Sequence, residues 1–152
     1  MSALTSPRLT PMRPDYESKH VIWAQVRDGV VIWEGGIVVL DGGKAAPGRS
    51  GLRLTVLGIA QDTIDNRTYP TVLYQRARRV PVVSGIAQLE NSRGDDAIGE
   101  ADVGKLCFMV DDRTLARTDG GGRRSPAGRV HEVERGLRVW VDLGMPSTAL
   151  VY

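Results

Sequence analysis

Three groups of residues in this 152-residue chain have types and spacings that could do chemistry. The first is Gly99-Glu100-Ala101-Asp102-Val103-Gly104-Lys105-Leu106, which satisfies the Gly-x-x-x-x-Gly-Lys part of a phosphate-binding loop. Such a loop must follow a buried strand, end in Ser or Thr for magnesium and open a helix. Here Asn91 to Ala97 is polar, Leu106 stands at the magnesium position, and Leu106 to Val110 reads as a strand. The expectation is therefore a turn leading into a strand. The second group is Cys107, His20 and His131, too scattered for metal-ligand spacing; Cys107 lies within an apolar run, without the polar setting a nucleophile needs. The third is the pair of acidic doublets, Asp95-Asp96 and Asp111-Asp112, whose glycine and arginine neighbours suit turns better than acid–base work. No enzyme class, metal, cofactor or small-molecule substrate is expected from these residues.

The cations point instead to contact surfaces. Net charge is only +2, but 17 of the 20 cations are arginine, which binds carboxylates in planar forks and is enriched at protein interfaces. A GC-rich coding sequence would produce the same bias. The densest basic stretch, Arg76-Ala77-Arg78-Arg79, is joined by Arg67 and Arg93. It could hold phosphates, giving a nucleic-acid-binding β-barrel as an alternative function. Only Tyr69 and Tyr74 lie nearby to stack bases, which favours an acidic protein surface over nucleic acid. Trp23, Trp33 and Trp140 each sit in a strand-like run, at least one of them expected in the core, and an exposed one would be a binding anchor.

The elements that must position these residues are short. No apolar run is long enough for a membrane-spanning helix, and the start lacks the apolar stretch of a secretory signal, so folding in the cytoplasm of the producing cell is expected. Residues 1 to 20 carry Pro7, Pro11 and Pro14 with no periodicity and read as an extended arm, mobile in the free protein and ordered on a partner. Along it, Leu4, Leu9, Met12 and Tyr16 offer apolar contacts, while Arg8 and Arg13 can pair with carboxylates. With Arg76, Arg78 and Arg79 these form the candidate protein-interface set. Residues 21 to 152 read as one β-rich domain. Strands are expected over 21–26, 30–33, 37–40, 52–60, 71–75, 80–88, 106–110, 114–117, 128–134 and 137–143, with Ala97 to Gly104 as the only helical turn or two. In the last strand Leu137, Val139, Val141 and Leu143 share a face. The expected fold class is all-β, a small β-barrel or β-sandwich with the extended Pro-rich N-terminal arm.

Residues Glu90 to Ile98 and then Ala101-Asp102-Val103-Gly104-Lys105 through Val110-Asp111-Asp112 to Thr118 resemble the capsid decoration (cement) proteins of Mu-like tailed bacteriophages and prophages. The similarity continues in Arg124 to Val130 and Gly136 to Val141, and upstream in Gly36 to Asp41 and Gly58 to Asn66, so it spans roughly residues 35 to 143. The chain departs from the family at Val80 to Gln88, where Pro81 and Gln88 replace part of a more aromatic strand. The resemblance implies a virion structural protein, commonly a homotrimer, whose partner is the major capsid protein and whose place is the capsid outer surface. It implies no catalytic residues. A neck or tail-completion protein of the same virion is a further alternative.

Overall fold

Apolar runs of four to six residues, closed by turn glycines, are too short for helices and the right length for strands. The computed structural model describes residues 3–13, 21–67, 78–135 and 137–144. The first half holds β1 (Val21–Gln25), β2 (Val31–Ile32), β3 (Ile37–Asp41), β4 (Lys44–Pro47), β5 (Thr55–Ala60), β6 (Ile64–Asp65) and β7 (Arg79–Val83). The second holds β8 (Gly85–Asn91), β9 (Leu106–Met109), β10 (Thr114–Ala116), β11 (Pro126–Glu134) and β12 (Arg138–Leu143). The fold is all-β: a five-stranded sheet in the order β1-β7-β5-β3-β4, a closed barrel β10-β8-β12-β11-β9, and the ribbon β2-β6. Closing the second half into a barrel leaves no open sheet edge there.

β3 and β5 hold the two halves together. Ile37, Val39, Val56 and Ile59 join Ala87, Leu89, Met109, Leu115, Val139 and Val141 in one core cluster. Val38 and Ala60 belong to the other, with Ala24, Val26, Ile32, Ala45, Val80 and Val82. Strands covered on both faces have no solvent side, which is why Ile37-Val38-Val39 is apolar without alternation. Each fully buried Val, Ile or Leu contributes about 1.5–3 kcal/mol. The β3–β5 register shifts between Val38 and Val39, opposite Gly58, where an added Cβ would lie 2.3 Å from the Val83 carbonyl oxygen.

Several sequence expectations are refined. The run Val80 to Gln88 is two strands, because the chain leaves the sheet at Ser84 and enters the barrel at Gly85. Lys44–Pro47 and Ile64–Asp65 pair as strands although neither alternates, since each is held by its partner, β3 and β2. The segment 94–102 makes two short 3-10 turns, Gly94–Asp96 and Glu100–Asp102. On β12 the buried face is Val139, Val141 and Leu143, while Leu137 falls in the preceding turn and is exposed. The strand expected over 71–75 lies outside the described residues.

Candidate protein-contact site

The described part of the arm lies against its own domain. The Leu4 N–H donates to Asp112 Oδ1 at 2.7 Å, and the Arg8 N–H donates to the Glu34 carbonyl at 2.8 Å. Thr10 Oγ1 donates to the Gly35 carbonyl at 2.5 Å. Met12 then pairs antiparallel with Ala87, flanked by Gln88 N–H to the Pro11 carbonyl and Arg13 N–H to the Ile86 carbonyl, each 3.0 Å. The arm thus touches the turn before β3, the front of β8 and the β9–β10 turn. Pro11 has no N–H to lose, yet its carbonyl accepts from β8, so proline here is compatible with strand addition.

Side chains reinforce the seat. Met12 packs against the main core cluster. Arg13 pairs with Glu132 at 2.8 Å and stacks 4.2 Å above the Trp140 ring, whose Nε1 donates to Glu134 at 2.5 Å. Burial lowers the Arg8 pKa; Glu90 opposes this, and Arg138 and Arg113 add to it. The expectation of an arm free in the isolated protein is therefore replaced, for residues 3–13, by one bonded within the chain. Leu4, Arg8, Met12 and Arg13 have partners in their own domain, whereas Leu9 is 92% exposed. Tyr16 and Arg76 lie outside the described residues.

The remaining basic candidates sit at one end of the sheet. Arg79 is exposed at the start of β7. Arg78 donates to the Asp65 carbonyl at 2.8 Å, and Arg67 pairs with the Asp65 carboxylate at 2.8 Å. The Arg67 hydrogen bonds hold that carboxyl down at about 2.

The acidic doublets work as structural turns. Asp111 Oδ1 accepts from the N–H groups of Arg113 and Thr114, closing the β9–β10 turn. Asp96 accepts from Thr118 and from Arg124, which lies 2.5 Å away. Asp112 is 2% exposed, and burial pushes its carboxyl up from the ordinary aspartate value while the Leu4 N–H opposes the shift. Gly104 is a turn residue whose N–H donates to the Val130 carbonyl, and Lys105, exposed, leads directly into β9. Among the described residues no three His, Cys, Asp or Glu side chains gather as metal ligands.

No family model matches the chain, no curated protein is similar to it in sequence, and no solved structure matches its fold. The chemistry of the surface must therefore be read from the residues themselves. Cys107 is fully buried on β9, and burial pushes its thiol up to about 12. A thiol-reactive chromophore at mildly alkaline pH should leave it unmodified in the native protein and titrate one thiol after denaturation. Prompt native reaction would contradict the buried placement.

None of the three tryptophans is fully buried: Trp33 and Trp140 are half-buried and Trp23 is 59% exposed. The expectation of a core tryptophan is thereby corrected. The main core is filled by Val, Ile, Leu and Ala with Cys107 and Met109, the second by Val, Ile and Ala, and neither buried cluster includes an indole. Sequence reading missed the Asp112 anchor, because a buried aspartate beside a turn aspartate looks the same in sequence. It also missed the exposed run Val21-Ile22-Trp23 as a surface, because its composition is that of a core strand.

Proposed function

We propose that this chain is a bacteriophage capsid decoration protein, a homotrimer that binds the outer surface of the major capsid protein lattice and stabilises the head. The observation that carries the reading is the resemblance of residues 90 to 118, with Ala101-Asp102-Val103-Gly104-Lys105 and Val110-Asp111-Asp112 at its centre. These residues form the end of β8, both 3-10 turns, β9 and β10, a wall of the closed barrel, and they include the aspartate that anchors the arm. A small, hydrogen-bonded β-scaffold suits a protein whose work is adhesion without turnover. Each copy need contribute only a modest interface, since many copies on one shell add their contacts through multivalency.

The test is decoration of heads of the parent phage that lack this protein. The protein should co-sediment with the shells at moderate salt, saturate at a fixed number of copies and raise the temperature at which the shells rupture. Absence of binding to shells would overturn the reading. Binding to DNA that falls steeply with salt and is lost on replacing Arg78 and Arg79 would instead support a nucleic-acid-binding barrel.

A further inference from the structure

The outer face of the closed barrel carries a band of charged side chains, and one stretch of it is out of balance. On β11, Glu132 pairs with Arg13, and both oxygens of Glu134 are occupied, Oε1 by the Trp140 indole and Oε2 by Gln88 Nε2. Glu90, near the end of β8, instead faces three arginines brought to it by three different elements. Arg138 of β12 lies directly opposite it in the ladder and donates to Gln88 Oε1 at 3.2 Å. Arg113, in the β9–β10 turn, accepts the Glu90 N–H on its carbonyl at 2.9 Å and sets its guanidinium 3.9 Å from the Glu90 carboxylate. Arg8 of the arm donates to the Gln88 carbonyl at 3.5 Å, and the charges of Glu90, Arg138 and Arg113 all bear on it.

Asp112 also acts on Arg8, but it is 2% exposed, and its Oδ1 is taken by the Leu4 N–H. Where another molecule can touch, three guanidinium groups therefore share one carboxylate. Among the described residues Arg8 and Arg138 each make one side-chain hydrogen bond, so most of the donors on each remain to be used. Beside them lies a cavity of about 580 Å³ lined by Glu100, Val133, Glu134, Arg135, Leu137 and Arg138. Arg138 belongs to both the cluster and the cavity. Val133 packs against the main core and Leu137 is 68% exposed, so the recess offers an apolar seat next to the cations.

We infer that Arg8, Arg113 and Arg138, with the recess at Leu137, form a docking site for an acidic segment of a partner protein, neighbouring carboxylates followed by an apolar side chain. Arginine forks take carboxylates in bidentate contacts, and incoming carboxylates relieve the repulsion that Glu90 alone leaves among three cations. A peptide places an apolar group beside its carboxylates. A single-stranded nucleic acid would seek a base platform, but the Trp140 ring on this face is already covered by Arg13. The inference deepens the decoration reading by giving the contacted shell surface an acidic chemistry, and it rests on that reading only for who the partner is.

Titration of the purified full chain with a labelled peptide carrying Glu-Glu-Leu between uncharged residues, followed by fluorescence anisotropy, reads the site without shells. The expected result is saturable binding at or below millimolar peptide, weakened at least about tenfold by Arg113→Gln and by Arg138→Gln. Glu90→Gln, which removes the competing carboxylate, should tighten it; a purely structural role for Glu90 would not, so this variant keeps the test decisive should an arginine variant be unstable. Absence of saturable binding, indifference to both arginine substitutions, or no tightening in Glu90→Gln would overturn the inference. So would inorganic phosphate or single-stranded DNA displacing the labelled peptide at lower concentration than unlabelled peptide does. Shells that do not bind the protein would leave a positive peptide result standing, whereas shells bound equally well by Arg138→Gln would remove this site and leave decoration intact.

Discussion

Removing residues 2–13 is expected to lower the unfolding temperature of the domain by roughly 5–15 °C, corresponding to about 2–4 kcal/mol in a chain of this size. The loss has identifiable sources. Met12 covers the main core cluster where it pairs with Ala87, and its removal uncovers apolar surface that the barrel cannot close over. Asp112, Gln88, Glu34 and Gly35 each lose a hydrogen-bond partner from the arm. A typical bond of this kind contributes about 0.5–1.5 kcal/mol net. The entropy regained by the freed segment offsets part of the sum. Met12→Ala alone should reproduce about 1–2 kcal/mol of the effect. Calorimetry on the full and shortened proteins decides the matter: an unchanged unfolding temperature is the signature of an arm that is loose in the free protein, and would contradict the docked arrangement.

Gly128→Ala should be more damaging than any exposed substitution. Gly128 pairs with Leu143 across β11 and β12, and an added Cβ would lie 2.0 Å from the Asp142 carbonyl oxygen. The obstacle is backbone, which no rotamer change can move aside. To accommodate even one methyl the two strands must separate, and they border the core through Ala127, Val130, Val141 and Leu143. The expected cost is above ~3 kcal/mol, seen as a large drop in the denaturation midpoint or as loss of soluble protein. Gly121→Ala is the control. Gly121 has a left-handed φ of 76° but nothing within 4 Å of the added atom, so only the dihedral cost of about 1–2 kcal/mol applies. Equal effects of the two substitutions would refute the steric account.

Part of this architecture is written locally. Runs such as Ile37-Val38-Val39-Leu40 before Asp41-Gly42-Gly43 specify a strand and a tight turn by propensity alone, and their repetition leads to an all-β fold. The alternation of β12 likewise sets Val139, Val141 and Leu143 on one face, because a two-residue period needs no knowledge of the partner, but it sets Leu137 there too, which the structure leaves exposed in the turn before the strand. Val80 to Gln88 marks where such reasoning stops. Only Ser84-Gly85 interrupts its apolar residues, and the division falls there because the chain leaves one sheet at Ser84 and enters the barrel at Gly85.

The contact surface divides in the same way. Sequence alone determined that the chain is β-rich and that the Gly99 to Lys105 stretch is punctuation before a strand, since each of these depends on neighbours within a few residues. Tertiary structure alone decided that Leu4 meets Asp112, 108 positions away, and that Met12 lies on Ala87. It also decided that Val21-Ile22-Trp23 stands uncovered while Ile37-Val38-Val39, of similar composition, is buried on both faces. Burial is a property of what lies opposite a residue. In a fold of non-local strand pairings, what lies opposite is set by sheet order and register, which no short window of sequence contains.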